Sequence, residues 1–263
     1  MVRSRLDAEL VRRGLARSRE AATDLIEARV VLVGGIPATK PASQVDGETS
    51  IVIAEDRDDF VSRGGHKLAG ALSVFTDITI EGRRALDAGA STGGFTDVLL
   101  RNGAREVVAV DVGYGQLAWE LRQDPRVVVL DRTNVRHLTL EHIGEPAEVV
   151  VADLSFISLT LVLPALVAVT TTDADFVVMV KPQFEVGREK LGAGGVVRDP
   201  ALRLGAIEEV ARSAWEVGLG VAGVTASPLP GPSGNVEYFL WLRRGSGELT
   251  RERAEVAIAK GPQ

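Results

Sequence analysis

Four residues carry side chains that hold or move protons: three at the ends of apolar runs, Asp153 closing VVVAD, Lys181 closing FVVMVK and Glu237 at the start of the run Val236–Leu242, and Lys67 in GGHKL upstream of them. A lysine amine removes a proton from a hydroxyl only if its pKa falls well below about 10.4. Burial and a second ammonium nearby both push it down, and carboxylates can orient the amines. Such a cluster suits a poor nucleophile, such as a ribose 2′-hydroxyl, that must lose its proton as it attacks an electrophilic methyl group. An ordinary Lys181–Asp153 salt bridge accounts for the same spacing equally well.

A second group is the segment Asp87–Phe95, DAGASTGGF. A strand that runs through a glycine turn into a helix lets backbone approach a ligand closely. Gly89, Gly93 and Gly94 provide that turn, with Ser91 and Thr92 between them. Three chemistries compete for it. A nicotinamide dinucleotide site wants G-x-G-x-x-G, and Ser91 stands at the second glycine. The stretch also fits the G-x-S-x-G nucleophile elbow, but the only later histidines, His137 and His142, come too early for a hydrolase. A methyl-donor site fits more of the chain. Asp111 ends the second strand, where a carboxylate can accept from both ribose hydroxyls. Asp131 follows the third strand, where it can meet an adenine amine, and Asp87 opens the turn, where it can face a methionine moiety. Any one of these acids alone reads as a loop cap.

The elements that must position these groups follow from the pattern of apolar runs. Short Val-rich runs at Ala85–Ala88, Glu106–Val110, Val127–Leu130, Glu148–Ala152 and Phe176–Val180 suit a parallel sheet buried on both faces. Helical patterns at Phe95–Asn102, Gln116–Gln123, Ser158–Ala168 and Pro200–Val217 alternate with them, the signature of a doubly wound α/β domain. The last two strands, Gly220–Ser227 and Val236–Leu242, are joined by PLPGPSGN, too short for a helical crossover, so they pair antiparallel. Parallel strands closed by an antiparallel hairpin make a Rossmann-like methyltransferase sheet. Ligands bind at the carboxyl ends of such strands, and that edge holds Asp153, Lys181 and, because its strand runs the other way, Glu237. Lys67 is expected on a helix just before the sheet.

Upstream lies a small α+β module. Arg5–Arg13 and Arg19–Ala28 have helical spacing, with Ser18 as a cap. VVLVGG and QVDGETSIVIA read as short strands. The expected organisation is a module at 1–56, a connector at 57–63 and the α/β domain at 64–263. The 263 residues suit one α/β domain plus a smaller module. With no cysteine, thiolate metal sites and a cysteine nucleophile are excluded, and no metal is expected. The apolar stretch Leu159–Val169 is too short to span a bilayer and contains Pro164. No signal segment is apparent, so the expected location is the cytoplasm. Net charge is −6, but residues 1–40 carry +3 and the remainder −9. The basic excess at the amino terminus suits an RNA-reading module. A solvated helix face explains it as well.

Together GGHKL, DAGASTGGFTDVLL, VAVDVGYGQL, VADLSFISL, VMVKPQFE and GPSGNVEYFL resemble the haemolysin-A-like rRNA 2′-O-methyltransferases. These join an S4-type RNA-binding domain to an FtsJ-type methyltransferase domain. The segment RLDAELVRRGLARSREAATDLIEARVVLVGG resembles the S4 part. The resemblance covers nearly the whole chain and implies the following. S-adenosylmethionine is the cofactor, ribosomal RNA or a ribosomal subunit the partner, and no membrane is involved. The catalytic tetrad falls on Lys67, Asp153, Lys181 and Glu237, with Lys181 as base. Cofactor contacts fall on Asp87, Gly89, Ser91, Thr92, Gly93, Gly94, Phe95, Asp111 and Asp131. Actinobacterial members methylate cytidine ribose in both subunits' rRNA, which confers sensitivity to capreomycin-type antibiotics; others modify the large subunit alone. The dual-specificity members carry an Arg-x-Trp-Val stretch in the connector, where this chain has Arg57-Asp58-Asp59-Phe60-Val61, with Phe60 as its aromatic residue. Arg5, Arg12, Arg13, Arg17, Arg19 and Arg63 are candidates for RNA contacts. The loop Gly187–Arg198 is a candidate to close over a target nucleotide, and a paired target would have to flip from its helix. Two other functions compete: a membrane-acting haemolysin, and an RNA-binding assembly factor without catalysis.

Overall fold

The structure is a computed structural model. It describes residues 4–27, 30–34, 36–53 and 60–262. The expected connector's first half, at 57–59, lies outside the described residues, as do Ala28 and Gly35. The chain divides into two compact units, Met1–Asp59 and Phe60–Gln263. Phe60–Arg63, expected in the connector, thus fall in the second unit.

In the first unit, β1 (Ser4–Arg5) leads into α1 (Leu6–Arg12), followed by α2 (Arg19–Glu27), β2 (Val31–Val33), β3 (Ile36–Pro37), β4 (Gln44–Val45) and β5 (Ile51–Ile53). Helical spacing puts Leu6 and Leu10 of α1 against Ala22 and Ile26 of α2. Val31, Val45 and Ile51 complete this core. The short strands pair antiparallel as β3-β2-β5 and β1-β4.

The second unit begins with α3 (Arg63–Val74) and then alternates: β6 (Arg84–Ala88), α4 (Gly94–Arg101), β7 (Glu106–Val110), α5 (Trp119–Gln123), β8 (Val127–Leu130), α6 (Leu140–Ile143), β9 (Ala147–Ala152), α7 (Leu163–Ala168), β10 (Thr170–Val180), α8 (Pro182–Glu185), α9 (Pro200–Glu216), β11 (Gly220–Ala226), β12 (Tyr238–Arg243) and α10 (Arg251–Ala259). The sheet order is β11-β12-β10-β9-β6-β7-β8. The five strands from β10 to β8 pair parallel, and β12 runs antiparallel to both neighbours. The α/β sheet expected from the sequence, with its closing hairpin, is the observed one.

Alternation along each strand divides the core into two layers. Leu86, Val108, Val150, Val178 and Leu240 face the layer that includes Leu163, Leu166, Ile207 and Val210. Ala85, Val107, Val151, Val177, Met179 and Phe239 face the layer built by Leu68 and Ala71 of α3 and Val98 and Leu99 of α4. Three elements depart from expectation. β10 begins six residues before the apolar run, at Thr170, because its polar start TTTDAD stays extended. The helix expected from Gln116 begins at Trp119, after an extended Ala118. The helix expected over Ser158–Ala168 is a tight turn at Leu159–Leu161 and then α7, with Pro164 in its first turn. There Pro164 sacrifices no intrahelical bond.

Candidate active site

The sheet's alternation explains how distant residues converge. Val177 and Met179 face the α3 layer, so the next residue of that parity at the strand end is Lys181. Val149 and Val151 lead in the same way to Asp153, and Ala85 to Asp87. On β12, Phe239 and Trp241 lead back to Glu237. Val180 pairs with Tyr238, and one step further along this antiparallel register sets Lys181 beside Glu237. All four groups therefore emerge at one sheet edge on the side covered by α3, which brings Lys67.

The result is two lysine–carboxylate pairs. Lys67 Nζ donates to Glu237 Oε2 at 2.6 Å, and both residues are buried. Lys181 Nζ lies 2.6 Å from Asp153 Oδ1. The lysine is buried, whereas the carboxylate is partly open. Gly231 accommodates Glu237: a Cβ there would stand 2.6 Å from Glu237 Oε1. The amide of Asp153 donates to Ala88 O, which ties the end of β9 to the cofactor strand.

The segment Asp87–Phe95 forms the tight turn between β6 and α4. Gly89 has φ +88°, and a Cβ would sit 2.7 Å from the carbonyl oxygen of Asp153. Only glycine satisfies both constraints. Gly94 is needed for packing: a Cβ would meet Ser62 Oγ at 2.3 Å and the Gly65 amide at 2.7 Å. Ser91 holds the left-handed conformation at φ +48°. Thr92 accepts the Ala118 amide on its carbonyl. The Phe95 ring lies in the core against Phe239, so what it offers the turn is backbone.

The three acids differ in their partners. Asp87 is fully buried; Oδ2 accepts the Thr96 hydroxyl at 2.7 Å and Oδ1 has no hydrogen-bond partner. Burial chiefly, reinforced by the charges of Asp153 and Asp111, pushes its carboxyl up to about 7. Asp111 accepts the Ser91 amide on Oδ2 and the Gly113 amide on Oδ1, which fixes the carboxylate beside the turn. Each oxygen retains a second lone pair. Asp131 takes Arg122 and the Gly115 amide on Oδ2, and Arg122 holds its pKa below the usual carboxylate range. Its Oδ1 accepts no hydrogen bond from the described residues.

Residues 60–244 match the FtsJ-like methyltransferase family. The chain is an FtsJ-like methyltransferase. Residues 4–51 of this methyltransferase match the S4 domain. The chain is 59% identical, over 99% of both sequences, to the 16S/23S rRNA (cytidine-2′-O)-methyltransferase TlyA of Mycobacterium tuberculosis strain H37Rv. It is 37% identical to Hemolysin A of Brachyspira hyodysenteriae, covering 89% of this chain and 98% of that one. A solved structure described as a hemolysin from Streptococcus thermophilus superposes with a TM-score of 0.77 at 37% identity, covering 99% of this chain and 96% of that one. No helix among the described residues is long and apolar enough to cross a membrane.

The basic residues of this FtsJ-like methyltransferase fall into three kinds. Arg13 turns inward: it donates to Glu9 and to the carbonyls of Asp46, Gly47 and Thr49. Arg5 and Arg19 bind buried Asp7, and Arg12 binds buried Glu9, but these three side chains stay about half exposed or more. These arginines hold both carboxyls well below the usual range, Arg5 acting most strongly on Asp7 and Arg12 on Glu9. Arg17 is exposed and has no partner among the described residues. In the second unit, Arg63 is exposed and reaches the Pro230 carbonyl at 3.4 Å. Phe60 packs on His66 and beneath the Arg101 guanidinium.

Four further residues shape the site and carried no signal in the sequence. Lys181 Nζ donates to Ser155 Oγ at 3.0 Å. Phe156 is 92% exposed at φ +65°, with its ring 5.1 Å from that of Phe184. Glu185 accepts from the Ser158 hydroxyl and the Leu159 amide, and burial raises its pKa. Asn235 is buried; it accepts the Val197 amide and donates to the Gly195 carbonyl, pinning the glycine-rich loop to the hairpin that carries Glu237. Of these, Ser155, Phe156, Glu185 and Asn235 all lie within motifs that the resemblance had marked, but nothing in residue type separated them from their neighbours.

Proposed function

We propose that this chain transfers the methyl group of S-adenosylmethionine to the 2′-hydroxyl of a cytidine in ribosomal RNA, with Lys181 accepting the hydroxyl proton. The observation that carries the reading is the pair of lysine–carboxylate contacts, Lys67–Glu237 and Lys181–Asp153, on one face of the sheet edge. The glycine turn adjoins them through the hydrogen bond from Asp153 to Ala88. Of the three relatives named above, two are called haemolysins and one, 59% identical, an rRNA (cytidine-2′-O)-methyltransferase; the last supports rRNA cytidine as the substrate.

The residues present fit the cofactor. Asp87 Oδ1 is a buried acceptor without a donor, placed where a cationic methionine end would supply one. Asp111 and the free oxygen of Asp131 would take the ribose and the adenine amine. Gly89 and Gly93 let the turn pack tightly, because a Cβ would strike the Asp153 carbonyl at the first and the Leu117 and Leu121 side chains at the second. When bound, the cofactor supplies a methyl group on a positively charged sulfur.

The protein's part is to bring the hydroxyl to that methyl and remove its proton. Lys181 would receive the hydroxyl proton on Nζ as the methyl group is taken up by the oxygen. Asp153 stabilises the ammonium that results. Lys67, held by Glu237, presents a second positive charge to the oxygen as its negative charge develops. Arg17 of the S4 unit and Arg63 would bind phosphates, and the exposed Phe156 ring offers a face on which a base can stack.

The test is methyl transfer from labelled cofactor to isolated ribosomal subunits. Lys181→Ala is expected to lower the rate by about 1,000-fold or more, the upper part of what a general base contributes, while cofactor binding persists. Full activity in that variant would sink the assignment. Mapping the modified nucleotide decides between the two subunits. Lysis of lipid vesicles by the purified protein would favour the haemolysin instead.

A further inference from the structure

We propose that Ser155 is a positioning residue that aims the amine of Lys181 at the substrate hydroxyl. The inference rests on the reading of Lys181 as base and adds the group that fixes its direction. A lysine side chain ends in a freely rotating nitrogen with three substituent directions beyond Cε. As a neutral base it keeps two N–H bonds and one lone pair, and only the lone pair can take a proton. Something must therefore hold the N–H bonds away from the substrate.

Asp153 is close but does not set that angle. Its Oδ1 lies 2.6 Å from Nζ, yet this oxygen takes part in no aligned hydrogen bond. The contact is a short ion pair that draws one N–H toward the carboxylate without the alignment that would fix it. Ser155 Oγ, 3.0 Å away, accepts an aligned hydrogen bond from the same nitrogen. Among the described residues Ser155 has no other hydrogen-bond partner, and it is exposed, so its own hydrogen can turn to solvent. With one N–H on Ser155 and another drawn toward Asp153, the third direction is left for the lone pair.

The backbone around Ser155 is built to keep it there. One residue on, Phe156 occupies the left-handed region, which costs a non-glycine residue of order 1 kcal/mol and persists only where the surroundings enforce it. Phe184 packs on Phe156, and Glu185 grips Ser158 and Leu159. Both Phe184 and Glu185 belong to α8, which follows Lys181 directly. The segment bearing Ser155 and the segment bearing Lys181 are thereby fastened to each other on both sides of the hydrogen bond.

The experiment compares Ser155→Ala, Ser155→Thr and Lys181→Ala in the full chain, with ribosomal subunits and labelled S-adenosylmethionine. Ser155→Ala is expected to lower kcat about 10- to 100-fold, the worth of one hydrogen bond to a charged group. The KM for subunits, the cofactor dissociation constant and the melting temperature stay at the parent values. Ser155→Thr, which keeps the hydroxyl, restores kcat to near the parent value. The proposal is overturned if Ser155→Ala leaves kcat unchanged, if the loss appears in KM, or if threonine fails to rescue. An active Lys181→Ala would instead overturn the assignment of the base. An inactive Lys181→Ala beside a normal Ser155→Ala would leave the base standing and remove only the role of Ser155.

Discussion

Both edges of the seven-stranded sheet bury charge, but they treat it in opposite ways. At the edge where the parallel strands begin, Arg84 is nearly inaccessible and each of its three guanidinium nitrogens donates, to Glu106 and to the carbonyls of Ile143 and Glu145. Beside it, Asp175 accepts from Arg83 and from the Trp241 indole, each at 2.8 Å. At the edge where those strands end, Asp87 and Asp153 each keep an oxygen without an aligned donor, and Ser91, Arg132 and Phe156 hold left-handed conformations. Every non-glycine residue of that kind among the described residues lies in a loop leaving a strand at this edge. At the first edge the buried charges are met by hydrogen-bond donors, although Thr171 Oγ1 is not; at the second, on the reading proposed above, Asp87 keeps an acceptor for a ligand. This is the usual location of strain and unsatisfied polar groups in enzymes.

The largest effect expected from this contrast is at the satisfied edge. Arg84→Ala leaves the Ile143 and Glu145 carbonyls and the Glu106 carboxylate without their donor. The cost is about 3 kcal/mol, typical of breaking a buried hydrogen-bonded charge. For a unit of this size the melting temperature falls by about 8 °C. Trp119, Trp215 and Trp241 all lie in the second unit, so tryptophan fluorescence follows its unfolding. Methyl transfer measured well below the melting temperature should stay close to normal. A stable Arg84→Ala protein would remove the distinction between the edges.

Asp87 is the converse case. Its carboxyl is raised to about 7 in the folded protein, mainly by burial, while an unfolded aspartate titrates near its ordinary value of 3.8. Between these values the folded state holds a proton that the unfolded state has lost, so Asp87 makes stability fall as pH rises through that window. Asp87→Asn keeps the shape and abolishes the change; its urea midpoint should decline less than the parent's between pH 5 and 8. The difference is about 3 kcal/mol at most. Binding of a cationic cofactor end would favour the ionised carboxylate. Calorimetry near pH 7 in buffers of different ionisation enthalpy should then show proton release on S-adenosylmethionine binding, and the asparagine variant should not. Equal heats in all buffers would separate Asp87 from the cofactor.

How much of this was legible in the sequence depends on what fixes each feature. The parallel strands were readable because burial on both faces demands continuous Val-rich runs. Asp153, Lys181 and Glu237 at the carboxyl edge were readable because they end or open such runs. The antiparallel return of β12 followed from the short PLPGPSGN connection. Other features have no local signature. α10 buries only Ala254 and Ala257 on one side, too little to stand out as an amphipathic pattern. Ser155 differs from Ser158 only in which neighbour it meets, and that neighbour is 26 residues away. Nothing in residue type marks Asp7 and Glu9 for burial; in the fold they are buried and paired with arginines.

The arginines of the first unit carry the same contrast to the surface proposed to contact RNA, with the smallest effects. Arg13 resembles Arg84: Glu9 and three backbone carbonyls take up its donors, and its side chain is mostly covered. Arg17 resembles the open edge, exposed and without a partner among the described residues. A phosphate contact requires donors still available to solvent, so it is Arg17 whose loss should be felt by RNA and not by the fold. Arg17→Ala is expected to weaken binding to ribosomal subunits and to reduce the slope of log affinity against log salt by about 0.7 to 0.9, the counterion release of one phosphate contact. The first unit's circular dichroism melt should not move. Arg13→Ala should behave inversely: its melt shifts downward by roughly 5 °C, and at temperatures where the unit stays folded the salt slope is that of the parent. If Arg13→Ala flattens the salt dependence as Arg17→Ala does, then its inward hydrogen bonds give way to RNA, and the separation of structural from binding arginines in this unit fails.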